Sequence, residues 1–347
     1  MLDFSSALYL GMRHPSTALG RWDALTLGRP AALTPPPGAA RLAAALASLC
    51  GCEAASLLPS TLHLFWDLFD LLSEQPLHLL VDAASYPIAR WGAERAVAKG
   101  ANVSTFAHGD AHALQLLAQR ARSKGLRPVI LADGFSPGHA APAPLAHYAA
   151  VAKACDGWLV IDDTQALGLF GARGGGSLPL HGLEGEHVVI GASLAKAFGA
   201  PLAVLAGTAA LVGRFDEQAK GRVHTSPPSV AAIRAGLNAL RINRALGDAL
   251  RWRLWRNVAL WQARIGAPRR WRFPVQVLAL PPDIDAVLLH ASLREAGMQA
   301  VLQGTHTLSV IVTAMHARRD IEAGADLVGS CMRQQSRFKR RAYGTRV

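Results

Sequence analysis

The stretch GASLAKAFGAPLAVLAG, from Gly191 to Gly207, surrounds one lysine, Lys196, with small and apolar residues. Upstream of it, WLVIDD (Trp158 to Asp163) is an apolar run that ends in two carboxylates. Short runs rich in Val, Ile and Leu predict buried β-strands. Asp162 and Lys196 therefore each follow the carboxyl end of a predicted strand, where ligands collect in an open α/β sheet.

This pair of residues suits one cofactor, pyridoxal phosphate (PLP). A lysine amine forms a Schiff base with the aldehyde of PLP, and a buried carboxylate pairs with its pyridinium nitrogen. The two side chains must then approach opposite ends of one ring. A purely structural interpretation of Lys196 has little support, since buried lysines without a partner are rare.

Around this region, strand-like and helix-like segments alternate from about residue 41 to residue 228. This alternation predicts an α/β fold with a mainly parallel sheet sandwiched by helices. The pattern from residue 229 onward predicts a smaller C-terminal α+β domain. It consists of two helical stretches, the strand-like FPVQVLAL (Phe273 to Leu280), a helix near Ile284 and the strand TLSVIVTA. We expect four segments: an N-terminal arm (1–40), a large PLP-binding domain (41–228), a small C-terminal domain (229–335) and a basic tail (336–347).

Composition narrows the class of protein. With 51% hydrophobic and 17% charged residues, the 347-residue chain predicts a globular protein with a substantial core. Its four cysteines are too few for a disulfide framework, and Cys50-Gly-Cys52 has the wrong spacing for a zinc site, so we expect no metal. The first residues lack a basic region ahead of an apolar core, and no uncharged run is long enough to span a membrane. We expect a soluble, cytoplasmic protein.

The net charge of +12 comes largely from two late stretches. For the Trp- and Arg-rich stretch Arg241 to Phe273, we favour a helix whose Trp and Leu side chains face the core while its Arg side chains are solvated. For the tail, an anionic partner and a frayed terminus are equally good interpretations. Such a partner is a CoA nucleotide or an acidic acyl carrier protein rather than nucleic acid, because no nucleic-acid-binding motif is present.

Several motifs together resemble the α-oxoamine synthase family of the fold-type I PLP-dependent enzymes. They are FSSALYLGMRHP (Phe4 to Pro15), FAHGD (Phe106 to Asp110), WLVIDDTQALGLFGARGGGS (Trp158 to Ser177), SLAKAFG (Ser193 to Gly199), HTSPP (His224 to Pro228) and TLSVIVTAMHARRDIE (Thr307 to Glu322). The resemblance runs through nearly the whole chain. It implies a PLP-dependent acyltransferase that condenses an amino acid with an acyl thioester, releases carbon dioxide and acts as a homodimer.

The resemblance also implies roles for individual residues. Lys196 is the Schiff-base lysine and general acid/base, Asp162 binds the pyridine nitrogen, and Tyr86 replaces the family's ring-stacking His. The phosphate group is held by the turn Ser60-Thr61-Leu62 and by Ser193, and Thr225 or Ser226 reaches a phosphate in the partner subunit. Gln165 occupies the position of a family His that touches the phenolic oxygen of the cofactor.

For some of these residues a purely structural interpretation remains open. Asp163 could be the buried carboxylate instead of Asp162, and Tyr86 could be an ordinary core aromatic. Ser60 and Thr61 could simply cap a helix.

The chain departs from the family pattern at its substrate-binding positions. Gln165 donates a hydrogen bond but does not titrate near neutral pH. The family's substrate-facing Asn is Ala7, and its carboxylate-binding Arg is absent, since Thr307 and Ser309 occupy the candidate positions. These departures leave two alternatives: a PLP-dependent aminotransferase or decarboxylase, and a non-catalytic relative. Retention of both Lys196 and Asp162 argues against the second.

Overall fold

The computed structural model describes residues 1–139, 141–266 and 272–343, with the side chains of the last helix described as far as Phe338. The strands are β1 (Leu2–Asp3), β2 (Ala54–Leu58), β3 (Leu77–Asp82), β4 (Asn102–Phe106), β5 (Arg127–Asp133), β6 (Trp158–Asp162), β7 (Val188–Ser193), β8 (Ala203–Gly207), β9 (Val275–Val277), β10 (Met298–Gln299), β11 (Val301–Gln303) and β12 (Thr307–Ile311).

The helices alternate with these strands through the first two thirds of the chain. They are α1 (Ser16–Leu19), α2 (Ala39–Cys50), α3 (Thr61–Leu72), α4 (Pro87–Ala98), α5 (Ala111–Ser123), α6 (Leu145–Ala154), α7 (Ser177–His181), α8 (Ala209–Gln218), α9 (Lys220–His224), α10 (Val230–Ile265), α11 (Ala286–Glu295) and α12 (Arg318–Tyr343).

The main sheet has seven strands in the order β2-β8-β7-β6-β5-β3-β4. Strand β8 is antiparallel to both of its neighbours, and the other pairs are parallel. The prediction of a mainly parallel sheet between helices is therefore confirmed. Strand β2 was not predicted, because AASLL (Ala54 to Leu58) is short and only moderately apolar.

The core beside this sheet centres on helix α3, whose side chains from Leu64 to Leu72 are nearly all buried. Helix α4 crosses α3 at very close range, because Gly92 lies directly on Phe65 and a Cβ atom at Gly92 would clash with it. A glycine is needed here for packing rather than for backbone conformation.

The chain divides into two compact units, residues 12–247 and residues 1–11 together with the described residues from 248 onward. In the second unit, β9, β11 and β12 form an antiparallel sheet, and β1 pairs with β10. Phe4 is fully buried there, stacked on His316 with ring centroids 4.3 Å apart. The first eleven residues thus pack within their own chain, whereas the sequence suggested an extended arm.

Two further expectations differ from the structure. The two helical stretches expected after residue 229 are one continuous helix, α10, so the predicted boundary at residue 228 and the observed division differ. Gly236 lies inside α10 because its missing side chain lets Leu42 approach closely. Helix α12 likewise continues through the predicted boundary at residue 335, and the end of the basic tail lies outside the described residues.

The Trp- and Arg-rich stretch largely follows the predicted helical pattern. Leu254 and Trp261 are buried, as expected for core-facing positions. Trp252 is 63% exposed and Arg251 is buried, which that interpretation did not expect. Residues 267–271 of this stretch lie outside the described residues.

Candidate active site

Three parallel strands end in buried aspartates at one edge of the main sheet. Asp82 ends β3, Asp133 ends β5 and Asp162 ends β6. Asp133 and Asp162 lie opposite each other in the strand register, and Asp162 lies opposite Gly191 of β7. Because neighbouring parallel strands pair in register, carboxylates that are distant in sequence lie side by side at this edge.

Thr164 holds the carboxylate of Asp162. Its backbone N–H donates to Asp162 Oδ1 at 3.1 Å, and its hydroxyl also donates to this carboxylate. The same hydroxyl oxygen accepts the backbone N–H of Ser193 at 3.0 Å. Sequence reasoning gave Thr164 no role, although a hydroxyl two residues after a strand-end aspartate is typical of a local side-chain turn.

Asp133 shares this buried edge and fixes Tyr86. The backbone N–H of Tyr86 donates to Asp133 Oδ1 at 3.0 Å. Burial raises the pKa of Asp133 well above its ordinary value, and the neighbouring carboxylate of Asp162 raises it further. Burial also raises the pKa of Asp162, but the Thr164 hydrogen bonds and the charge of Lys196 oppose this effect. The Thr164 hydrogen bonds and Lys196 thus favour the ionised form of Asp162, whereas the neighbouring carboxylate opposes ionisation of Asp133.

Lys196 lies in the connection between β7 and β8, and its Nζ atom is 5.6 Å from the centre of the Tyr86 ring. Burial lowers the pKa of Lys196, while the carboxyl groups of Asp162 and Asp133 oppose this shift. A lower pKa leaves more of the lysine as the neutral amine, which is its nucleophilic form.

Tyr86 is not a core residue, because its side chain is 51% exposed. It precedes Pro87 at the start of α4, where the proline fixes the first helical turn. The ring therefore stands at the mouth of the site, near Lys196, and offers a flat face to a ligand.

The amino end of helix α3 lies at the same edge of the sheet. Ser60 caps this helix, since its Oγ atom accepts the backbone N–H of His63, so the capping interpretation is confirmed for Ser60. Capping leaves the N–H groups of Thr61 and Leu62 in the first turn without intrahelical acceptors. A helix start of this kind binds anions such as phosphate.

The strand register relates this helix start to Ser193. Ala203 of β8 pairs with Leu58 at the end of β2 and with Ser193 at the end of β7. Two strand spacings, about 10 Å, therefore separate the ends of β2 and β7. The Ser193 hydroxyl accepts the backbone N–H of Ala195 at 3.2 Å, which leaves its own proton for another acceptor.

The two remaining predicted site residues are Gln165 and Thr225. Gln165 follows Thr164 and is half-buried at the same strand end. Thr225 ends helix α9, where its backbone carbonyl accepts the N–H of Ala31 at 2.9 Å. Its expected role in a partner subunit stays a prediction.

Asp163 has a structural role distinct from that of Asp162. Its carboxylate accepts both the backbone N–H of Ser177, at 3.0 Å, and the Ser177 hydroxyl. Gly134 and Gly176 lie so close to it that a Cβ atom at either position would clash with the carboxylate. Asp163 therefore anchors the glycine-rich segment before α7, while Asp162 faces Lys196.

This role predicts a pH-dependent stability. Burial raises the pKa of Asp163 from 3.8 to about 6. The folded state then holds this proton more tightly than the unfolded state, so the stabilisation is full below pH 3.8 and is lost as the pH rises through about 6. For Asp163→Asn, we expect the fall in unfolding free energy between pH 4 and pH 7 to be smaller by about 2 kcal/mol. Urea denaturation at several pH values measures it, with the exposed Asp23→Asn as control. Parallel curves for Asp163→Asn and wild type would contradict the assignment.

A second buried network surrounds Asp82, beside the site. Asp82 accepts hydrogen bonds from the Tyr148 hydroxyl at 3.0 Å and from His108 Nδ1 at 2.9 Å. His108 Nε2 in turn lies 3.0 Å from the carbonyl oxygen of Ala141. Both His108 nitrogens thus face oxygen atoms of other residues. The FAHGD motif therefore supplies a hydrogen-bond partner for Asp82.

In the described part of the chain, no cluster of His, Cys, Asp and Glu side chains is arranged to hold a metal ion. Among the same residues, no helix combines the length and apolar character needed to cross a membrane.

Comparison with known proteins agrees with this architecture. The serine palmitoyltransferase of S. paucimobilis with bound PLP–myriocin aldimine superposes with a TM-score of 0.85 at 17% identity, covering 96% of this chain and 87% of that one. The 8-amino-7-oxononanoate synthase structure from Francisella tularensis gives a TM-score of 0.75 at 15% identity, covering 96% and 98%. The fold is that of the fold-type I PLP-dependent enzymes.

Sequence similarity points to one branch of this fold. The 8-amino-7-oxononanoate synthase of Halorhodospira halophila is 32% identical over 254 residues, which is 68% of this chain and 61% of the relative. The matched segment thus spans less than two thirds of the relative's length. No family model matches the chain. The resemblance to α-oxoamine synthases inferred from the motifs is confirmed.

Proposed function

We propose that this protein is a PLP-dependent acyltransferase that condenses an amino acid with an acyl thioester, releases carbon dioxide and forms an α-aminoketone. The observation that carries the proposal is the grouping of Asp162, Lys196 and Tyr86 at one sheet edge, where Lys196 Nζ lies 5.6 Å from the Tyr86 ring centre. The named relatives and structural neighbours support the same chemistry.

The side chains at this edge fit PLP in charge and shape. The start of helix α3 and the Ser193 hydroxyl suit its phosphate group, and Asp162 suits its pyridine nitrogen. Tyr86 offers a flat face for the ring, and Lys196 an amine for the aldehyde. A cation beside Asp162 would also favour the ionised carboxylate that burial opposes.

When bound, PLP withdraws electrons from the α-carbon of an attached amino acid. The protein's own groups support this in distinct ways. Lys196 Nζ, whose pKa is lowered by burial, carries a proton to and from the substrate's α-carbon. Asp162 supplies the negative charge that keeps the ring nitrogen protonated. Burial and the charge of Asp162 raise the pKa of Asp133, which disfavours a second negative charge beside the ring.

The substrate-binding residues differ from the family pattern and bear on specificity. With Thr307 and Ser309 in place of the family's Arg, the substrate carboxylate needs another cation or a different orientation. With Gln165 in place of His, the site keeps a hydrogen-bond donor to the phenolic oxygen but loses a titratable group. An aminotransferase or decarboxylase on the same scaffold is the alternative that these two changes favour.

The test is to identify the product. The purified protein with added PLP is offered small amino acids together with a panel of acyl-CoA and acyl-carrier-protein thioesters, and products are identified by mass spectrometry. We expect a product with a new carbon–carbon bond and one carbon dioxide released per turnover. An oxo acid or a simple amine without that bond would favour the alternative, and absence of PLP uptake would contradict both.

We further propose that the protein is a homodimer. Trp66 and Trp91 flank the crossing of α3 and α4, next to the site, and are 47% and 51% exposed. Two exposed tryptophans on adjoining helices form a larger apolar surface than a single one, and larger exposed apolar patches mark protein interfaces. We expect a dimer in sedimentation velocity, and Trp91→Glu should raise its dissociation constant by at least about tenfold. Trp252→Glu, on the exposed face of α10, is the matched control. A fully active monomer at low concentration would contradict this proposal.

The proposed substrates are also consistent with a cytoplasmic location, as are the four cysteines, which are all free thiols. An acyl carrier protein is acidic, and the excess of basic residues would favour its approach. The CoA and carrier-protein arms of the thioester panel distinguish the two donors.

A further inference from the structure

The backbone that carries Lys196 is fixed by a residue far away in sequence. The segment 193–202, here called the Lys196 loop, connects β7 and β8 and makes several internal backbone hydrogen bonds. In addition, His14 Nε2 lies 2.8 Å from the carbonyl oxygen of Phe198, two residues after the lysine. Phe198 is buried, so its carbonyl oxygen is shielded from water and depends on this donor.

The directions of the hydrogen bonds around His14 follow from the chemistry of its partners. A carbonyl oxygen only accepts, so Nε2 of His14 carries the proton. Nδ1 of the neutral ring is then an acceptor, and Asn238 Nδ2 lies 3.0 Å from it. Asn238 Oδ1 accepts from Arg241 at 3.2 Å (Nε) and 2.9 Å (Nη2). Because an arginine only donates, the Asn238 amide has one possible orientation.

These contacts form a one-way relay, Arg241 to Asn238 to His14 to Phe198. Asn238 is 9% exposed, which protects the middle of the relay from competition by water. On another side of the loop, Gly168 lets Ala197 approach so closely that a Cβ atom at Gly168 would lie 2.5 Å from that of Ala197. The Lys196 loop is thus held at Ser193, at Ala197 and at Phe198.

A lysine side chain has four flexible carbons, so the position of its amine is reproducible only if its backbone is fixed. We propose that the Arg241–Asn238–His14 relay is a positioning device for Lys196, with His14 donating from Nε2 to the carbonyl oxygen of Phe198. The inference rests on the proposed function, because it assigns the relay's purpose to the lysine that bonds PLP. None of the three residues needs to touch the cofactor or the substrate.

Substitutions at His14 separate this role from general stabilisation. His14→Leu removes both hydrogen bonds at similar size, whereas His14→Gln keeps one donor and one acceptor. His187→Leu is the matched control, since His187 Nδ1 also contacts a carbonyl oxygen, that of Gly157 at 3.0 Å, at the opposite end of β7. If His14→Leu does not fold, Arg241→Ala tests the same relay from its exposed end.

Two measurements on the PLP-loaded protein decide the matter. The first is hydrogen exchange of the backbone amides of residues 197–200, and we expect an acceleration of at least about tenfold in His14→Leu. The second is the pH titration of the absorbance of lysine-bound PLP, whose midpoint should move by about half a unit or more. His14→Gln should recover most of both changes, and His187→Leu should show neither.

The outcomes distinguish failure of this inference from failure of the proposed function. Normal loop exchange and an unchanged midpoint in a folded His14→Leu protein would overturn the relay and leave the cofactor assignment intact. Absence of PLP uptake by the wild-type protein would overturn the cofactor assignment, and loop exchange in the unloaded protein would still report on the relay. Equal changes in His14→Leu and His187→Leu would reduce His14 to a general stabilising residue and overturn the proposal.

Discussion

Lys196→Ala is expected to abolish turnover and to remove the absorbance of lysine-bound PLP. The proposed reaction needs an amine at this position, and the described neighbours at this edge, Asp162, Asp133 and Tyr86, offer no substitute amine. We expect a loss of at least about a thousandfold, which corresponds to about 4 kcal/mol of barrier. The proposed phosphate site at the start of α3 should still bind PLP weakly. Absorbance spectra and product formation measure these effects.

Two further variants control this experiment. Lys196→Arg keeps the positive charge but not the nucleophile, so it should be as inactive as Lys196→Ala. Lys124→Ala, on the exposed end of α5, should behave like wild type. Near-normal turnover in either Lys196 variant would show that another residue bonds the cofactor.

Asp162→Asn is expected to leave the fold intact and to reduce turnover by at least about a hundredfold, or nearly 3 kcal/mol of barrier. The amide keeps the size of the carboxylate and accepts the Thr164 N–H bond, but it has no negative charge to hold a proton on the ring nitrogen. Steady-state kinetics with a saturating amino acid measure the loss.

The neighbouring Asp163→Asn variant is the matched control for this prediction. The two aspartates are adjacent and both buried, yet Asp163 contacts Ser177 and the glycine-rich segment instead of Lys196. Asp163→Asn should change stability and leave turnover within a few fold of wild type. If Asp162→Asn had normal turnover and Asp163→Asn were inactive, the roles assigned to the two aspartates would have to be exchanged.

The sheet edge and its aspartates could be predicted from the sequence because both follow from local pattern. Apolar runs predicted the strands, and the rule that ligands bind at their carboxyl ends led to Asp162 and Lys196. The family resemblance favoured Asp162 over Asp163, but the local pattern alone could not distinguish them. Successive residues point in opposite directions, and only the position of Ser177 decides which carboxylate faces away from the lysine.

Other features depend on long-range contacts that no local pattern encodes. The proline- and glycine-rich start of the chain predicted an extended arm, yet Phe4 is buried among residues some three hundred positions away. The contact of His14 with Phe198 bridges 184 positions, and a single histidine before a proline gives no sign of it. The continuity of α10 through Gly236 likewise depends on a distant residue, since the missing side chain there lets Leu42 approach closely.

The reversed direction of β8 has a consequence for how this protein tolerates change. The other loops at this edge of the sheet lead into helices, so an insertion there can be absorbed by the path to the next strand. The Lys196 loop instead returns at once into the adjacent strand, and Ser193 and Ala203 at its two ends are paired neighbours. A residue added or removed between them would shift either the strand pairing or the lysine. We therefore expect length variation in homologous chains, and successful loop grafting in the laboratory, to spare this one connection.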